Sequence, residues 1–251
     1  MVREDIKIMK KNKYDDETFF EKYKNMPRSV YGLDAAGEWQ ILKNMLPSFF
    51  GKKVLDLGCG FGWHCCYAAE HGAEAVIGVD ISKKMLEIAR EKNLYENITF
   101  INNNIENISF ESNYFDVILS SLALHYVAQF DEIVKKIYTW IKKNGIFVFS
   151  VEHPIFTSEG KQDWHYDEQG KILHWPVDNY FFEGPREASF LGEKMTKYHR
   201  TLTNYLKTLL KYGFNIVDIN EPKVTPELLK KHPDWKNELR RPMMLLISVK
   251  K

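Results

Sequence analysis

The chain has 251 residues, more than one average domain, a length that α/β folds often reach around a single core. Its 44% hydrophobic and 27% charged residues are ordinary for a globular protein and exclude a disordered or fibrous chain. The formal net charge of +1 sets up no bulk field toward nucleic acid or an anionic membrane.

The opening residues, MVREDIKIMKKNKYDDE, have too few consecutive apolar positions for a signal-peptide core. No later stretch approaches the roughly 18 apolar residues of a membrane span, so the expectation is a cytoplasmic protein without a membrane partner. Helical spacing places Phe19, Phe20 and Tyr23 on one helix over 18–24, and Trp39, Leu42 and Met45 on another over 35–45. Pro27 and Pro47 punctuate them.

From Lys53 the pattern alternates. Strands are expected over 54–57, 75–79, 98–101, 115–119 and 146–151. Helices are expected over 62–71, then from the Ser82 cap to about 93, and over 131–142, the last stopped by Asn144-Gly145. Such alternation builds a doubly wound parallel sheet covered on both faces, with ligands at the carboxyl ends of its strands. Between 154 and 197 the periodicity is lost while aromatics abound, which reads as an ordered lid whose aromatics form a small secondary core over the sheet end or the walls of an acceptor pocket, with Trp164, Trp175 and Tyr180 as the candidate walls. A helix over 202–212, a strand over 214–219, a loop through Trp235 and a strand over 243–249 complete the chain. The expected organisation is one domain: a helical cap over 1–50, a core over 51–153, a lid over 154–197 and the rest of the core over 198–251.

The three cysteines, Cys59, Cys65 and Cys66, read as reduced thiols, since a disulfide between neighbours is strained. The run His64-Cys65-Cys66 does not read as a metal site, because consecutive helical residues point in different directions.

The chemistry concentrates in Val54-Leu55-Asp56-Leu57-Gly58-Cys59-Gly60-Phe61-Gly62. A strand ending in glycines lets backbone pass close to a ligand, and the following helix offers free N–H groups. Asp56 at the strand end suits a cationic amino group or orders the turn, and Asp80, about twenty residues after Gly60, suits ribose hydroxyls. Together they describe a nucleoside site. A nicotinamide-dependent oxidoreductase is the competing reading, but Trp63 stands where its third spaced glycine belongs. A non-catalytic nucleoside-binding protein is the other alternative.

Val54 to Gly62 resembles motif I of the class I S-adenosylmethionine-dependent methyltransferases, and Gly78-Val79-Asp80-Ile81-Ser82 resembles their motif II. Phe115 to Tyr126 is similar to the fourth-strand motif of the ubiquinone/menaquinone-biosynthesis type. The resemblance implies a Rossmann-like seven-stranded sheet whose last strand runs antiparallel beside the fifth. It also implies S-adenosylmethionine as cofactor, S-adenosylhomocysteine as product and an O- or N-nucleophile of a small molecule as acceptor.

Carried onto this chain, the resemblance implies that Asp56, Gly58 and Gly60 line the methionine part of the cofactor. Asp80 would hold the ribose and Ile81 the adenine, with Asn104 where an aspartate usually meets the adenine amino group, and Cys59 and Ile105 as further cofactor contacts. Ser120 and Ser121 fall at the cofactor's amino-acid end. Candidates for moving a proton are His125 after the fourth strand and the pair Glu152-His153 after the fifth. Arg28 is a candidate partner for a carboxylate. No Asp/Asn-Pro-Pro-Tyr motif follows the fourth strand, and basic pairs such as Lys230-Lys231 and Arg240-Arg241 are mixed with acids, so a nucleic-acid substrate is not expected.

Overall fold

The computed structural model describes residues 12–251; the segment 1–11, most of the stretch read above against a signal peptide, lies outside them. The N-terminal cap contains α1 (Glu17–Lys24), α2 (Pro27–Val30) and α3 (Trp39–Met45). Asp16 starts α1 by accepting a hydrogen bond from the Phe19 N–H at 3.2 Å. The core follows as β1 (Lys53–Leu57), α4 (Trp63–Glu70), β2 (Ala75–Asp80), α5 (Lys83–Lys92), β3 (Ile98–Asn102), β4 (Phe115–Ser121), α6 (Phe130–Trp140) and β5 (Ile141–Glu152). The lid comprises α7 (Pro154–Thr157), β6 (His165–Tyr166), β7 (Ile172–His174), β8 (Gly184–Phe190) and β9 (Glu193–His199). It gives way to α8 (Leu202–Lys211), β10 (Asn215–Asn220), α9 (Pro226–Lys231) and β11 (Met244–Lys250).

The seven core strands form one sheet in the order β10-β11-β5-β4-β1-β2-β3. β1 is parallel to β2 and β4, whereas β11 enters antiparallel between β5 and β10, with Leu246 opposite Ser150. The order reverses at β1, so β1 and β4 diverge in their connections there, and a crevice opens at their carboxyl ends. One face packs on α6 and α8 through Ile133, Ile137, Phe147, Phe149 and Leu209. The other packs on α4 and α5 through Val54, Cys65, Ala68, Leu86 and Ala89, and on α3 through Trp39 and Leu42. This covering of both faces explains the nearly continuous apolar strands.

Three expectations are corrected. The helix expected over 131–142 ends at Trp140, because Ile141 pairs with Phe115 and belongs to the sheet. Asn144-Gly145 therefore makes a bend inside β5, where Asn144 takes φ of 66° and its N–H donates to the Lys251 carbonyl at 2.9 Å. The lid carries two antiparallel hairpins, β6–β7 and β8–β9, the second turning at Leu191 and Gly192 with φ of 55° and 79°. Its alternation escapes a hydropathy reading because β9 turns Lys197 and His199 inward with Met195. Finally, the loop expected through Trp235 contains α9, which Thr225 caps, and a run of 3-10 turns over Pro233–Arg240; both are too short to show an apolar stripe.

Candidate functional site

The site is built where the β1 turn meets the loop after β4. Gly58 takes φ of 79° and donates its N–H to the Val79 carbonyl at 2.8 Å. A Cβ at Gly58 would stand 2.3 Å from the Ala123 Cβ, so only glycine lets the two loops meet. Gly60 takes φ of 52°, and a Cβ there would meet nothing within 4 Å. Its N–H donates to Asp80 Oδ2 at 2.9 Å, and the Ser82 N–H donates to Asp80 Oδ1 at 2.8 Å. Asp80 is thus fixed at the mouth of β2, where it lines the cavity. Burial pushes its pKa up against the backbone donors of Ser82, Gly60 and Ile81.

These groups line a cavity of about 640 Å³, within the roughly 300–1,000 Å³ of small-molecule sites. Of the residues singled out from sequence, Arg28, Gly58, Gly60, Asp80, Ile81, Asn104, Ile105 and Ser121 share its wall. Ile81 keeps 45% of its surface exposed although it is apolar, as a packing face for a flat ring requires. The Asn104 side-chain oxygen accepts from the Glu106 N–H at 2.8 Å, which orients the amide.

Two walls come from residues that the sequence did not single out. The N-terminal segment brings Asn12, Lys13 and Tyr14, and β9 brings Met195, Thr196 and Tyr198. Asp15 ties the first of these to the core, since its Oδ1 accepts from Ser82 Oγ at 2.6 Å and from the Lys84 N–H at 3.2 Å. Tyr14, Tyr23, Tyr126 and Tyr198 supply the aromatic lining. Tyr14 meets Tyr23 edge-on at 5.5 Å and Tyr126 at 6.1 Å. Burial raises the pKa of Tyr14, Tyr23 and Tyr126, so these phenols stay protonated at neutral pH.

Of the two readings of Trp164, Trp175 and Tyr180, the structure has them packing rather than lining the cavity. Trp175 stacks on Phe156 at 5.0 Å and meets Trp164 edge-on at 5.1 Å, with the Arg241 guanidinium 4.3 Å above the Trp175 ring. They brace the first hairpin against the C-terminal segment. Tyr180 accepts from the Leu202 N–H at the start of α8, at 3.2 Å.

A family model described as "Methyltransferase domain" matches residues 55–149. The crystal structure of a Listeria monocytogenes chain assigned to the S-adenosylmethionine dependent methyltransferases is 57% identical and superposes with a TM-score of 0.84. The match covers 88% of this chain and 99% of that one.

This chain belongs to the S-adenosylmethionine-dependent methyltransferases.

An S-adenosylmethionine dependent methyltransferase from Mesorhizobium loti is similar at 39% identity and a TM-score of 0.82, over 88% of this chain and all of that one (100%). A Haemophilus influenzae protein of no assigned function is 34% identical over 95% of this chain and 96% of its own length. The sheet order and the antiparallel β11 give the methyltransferase the class I, Rossmann-like fold. S-adenosylmethionine is its cofactor, and the crevice fits it: Gly60 leaves the wall open, and Asp80 lines it. Among the described residues no helix is long and apolar enough to cross a membrane.

The remaining sequence candidates lie behind the wall. Asp56 is buried under the turn, accepts from Cys65 Sγ at 3.4 Å through Oδ2, and leaves Oδ1 without a partner. Burial pushes its pKa to about 7. Cys59 is buried beside it, its thiol pushed up to about 11 by desolvation. Ser120 Oγ donates to the Leu57 carbonyl at 2.7 Å, fixing β1 to β4.

His125, Glu152 and His153, the candidates for proton transfer, do not line the cavity. His125 is buried, its pKa lowered to about 4 by desolvation, and its Nδ1 accepts from the Glu152 N–H at 3.4 Å. Its ring packs at 4.4 Å against Tyr126, which does line the cavity. Glu152 accepts from Lys197 Nζ and from Gln162 Nε2, both at 2.6 Å. His153 points the other way: its Nδ1 caps α7 by accepting from the Ile155 N–H at 3.0 Å, and its Nε2 stands 2.8 Å from Glu221. The pair separates because the chain leaves the strand after Glu152, and α7 claims His153.

Proposed function

We propose that the methyltransferase acts on an O- or N-nucleophile of a small molecule held between the β1 turn and the lid hairpin. The observation that carries this reading is the tyrosine-lined part of the cavity, bounded by Tyr14, Tyr23, Tyr126 and Tyr198 and continuous with the glycine turn. An apolar wall with few polar anchors suits a metabolite-sized acceptor.

S-adenosylmethionine, when bound, supplies a sulfonium methyl for in-line displacement. Gly58, Gly60 and Ser121 would hold its methionine part, Asp80 its ribose, and Ile81, Asn104 and Ile105 its adenine. Asp56, Cys59 and Ser120 fix the turn from behind. Alignment of nucleophile and methyl then supplies much of the rate. The protonated phenol of Tyr126 donates a hydrogen bond rather than accepting a proton. His125 and Glu152 act through it, by packing and by holding the lid, while His153 holds α7.

The test is transfer of radiolabelled methyl from S-adenosylmethionine to a cell extract separated into metabolite and macromolecular fractions. Label in the metabolite fraction, reduced by Tyr126→Phe at unchanged affinity for S-adenosylhomocysteine, is the expected result. Label confined to the macromolecules would refute the small-molecule reading.

A further inference from the structure

The tyrosine-lined end of the cavity is rich in hydroxyls and shielded from water. Tyr14, Tyr23, Tyr126 and Tyr198 line it with the Thr196 hydroxyl and the apolar side chains of Met195 and Val127. Tyr14 is the centre of this wall, its ring edge-on to Tyr23 at 5.5 Å and to Tyr126 at 6.1 Å between centroids. The Tyr14 and Tyr126 hydroxyls also hydrogen-bond to each other. That bond uses one of the two protons, so the other O–H is left to donate to a bound group. Desolvation is the largest cause of the raised pKa of Tyr14, Tyr23 and Tyr126: water is scarce at this wall, and the phenols keep their protons at neutral pH.

Among the described residues two carboxylates line the cavity, Asp80 and Glu106, and both belong to the loops after β2 and β3 that would hold the nucleoside. Backbone N–H groups engage both: those of Gly60 and Ser82 on Asp80, and that of Gln129 on Glu106 Oε1 at 3.0 Å. The cations of the wall are matched by acids, Arg28 by Glu38 at 2.9 Å, Lys13 by Glu193 at 3.0 Å and Lys194 by Glu187 at 3.3 Å. A molecule seated among the tyrosines therefore meets O–H donors, apolar surface and the positive sulfonium of the bound cofactor. Methylating an alcohol or a protonated amine releases a proton that a base must take. Methylating a carboxylate releases none.

We propose that the acceptor is a carboxylic acid, bound as its carboxylate by the free O–H of the Tyr14–Tyr126 pair, and that the product is a methyl ester. This rests on the small-molecule reading and narrows it to one kind of oxygen nucleophile. A carboxylate oxygen attacks the methyl carbon; the new O–C bond forms as the S–C bond breaks, and the bonding pair stays on sulfur. The negative charge of the carboxylate and the positive charge of the sulfonium cancel, and no proton is released. A wall shielded from water favours this reaction, because two separate ions lose more on leaving water than a transition state in which their charges already partly cancel. A phenol that keeps its proton is no base, but it orients an anion through a charge-assisted hydrogen bond.

The experiment incubates the wild-type protein with a cell extract and S-adenosylmethionine labelled with tritium in its methyl group, treats the separated metabolite fraction with alkali and collects the vapour. A methyl ester hydrolyses to volatile labelled methanol, whereas N-methyl and ether O-methyl groups survive. The expected result is that the label leaves the metabolite fraction as methanol. At limiting extract, Tyr126→Phe lowers the rate of methanol-yielding label about tenfold, the scale of a lost hydrogen bond to a charged group, while calorimetry shows its affinity for S-adenosylhomocysteine unchanged. Label that stays in the metabolite fraction through alkali overturns the carboxylate acceptor and leaves the small-molecule reading standing, a result that does not depend on the variant folding. Methanol release undiminished by Tyr126→Phe overturns the role of the tyrosine pair. Label confined to the macromolecules, or in neither fraction, overturns the small-molecule reading, and the proposal with it.

Discussion

Replacing Lys197 by Met breaks the buried ion pair under the lid. Lys197 is 2% exposed on β9, and its Nζ lies 2.6 Å from Glu152 Oε1 and 2.8 Å from Gln162 Oε1. The Glu152 side chain is 16% exposed, so methionine at 197 leaves its charge largely buried with only the Gln162 amide as donor. Breaking a buried pair from one side costs about 3–5 kcal/mol. The residual Gln162 bond and the partial exposure of Glu152 point to the lower end. At about 2–4 °C per kcal/mol for a chain of this size, Lys197→Met is expected to lower the Tm by about 6–12 °C. The double variant Lys197→Met/Glu152→Leu removes both charges and is expected to recover most of that loss. Burial alone would raise the Glu152 pKa, yet facing His125 and Lys197 it is lowered, and above pH 4, where His125 is neutral, Lys197 is the charge responsible. A carboxyl with a lowered folded pKa stabilises above its unfolded pKa and loses that contribution as pH falls through the folded one. The difference in Tm between wild type and Lys197→Met should therefore shrink below about pH 4. Differential scanning calorimetry across pH measures both effects. A single variant within about 1 kcal/mol of wild type, or a double variant as unstable as the single, would refute the account of a tightly coupled buried pair.

The other predictions concern the turn. Asp56→Asn should flatten the pH dependence of stability. The Asp56 pKa is raised from 3.8 to about 7, so the wild type loses stability as pH rises between those values; thermal melts at pH 4 and pH 8 should show the variant gaining relative to wild type only at pH 8. Gly58→Ala places a methyl against Ala123 at a left-handed backbone position, and should cost about 1–3 kcal/mol in urea unfolding while abolishing S-adenosylhomocysteine binding. Asp80→Ala should weaken that binding by about 1–3 kcal/mol in calorimetry, and an unchanged Kd would remove Asp80 from the site.

The strength of the sequence signal followed how local each feature was. Val54 to Gly62 is a strand, a turn and a helix start in nine residues, and its glycines carry their reason in their own backbone angles. Ser82 likewise announces α5, because an N-cap acts three residues away, on the Met85 N–H. The alternation of apolar strands with helices showed a sheet covered on both faces, and the motif resemblance added where β11 would lie. The lid was another matter: β8 and β9 bury Lys197 and His199, whose polarity hides the strand period until their partners Glu152 and Thr157 are in view. The proton-transfer candidates stand off the cavity wall for the same reason. Adjacent in sequence, Glu152 and His153 part at a strand end, and only the packing of Lys197 and the capping of α7 decides where each points. The tyrosine wall draws on four separate segments that meet solely in the folded chain. Local backbone chemistry therefore determined the fold class and the glycine turn, whereas the lining of the cavity was decided by tertiary contacts, because side-chain direction there depends on partners far away in sequence.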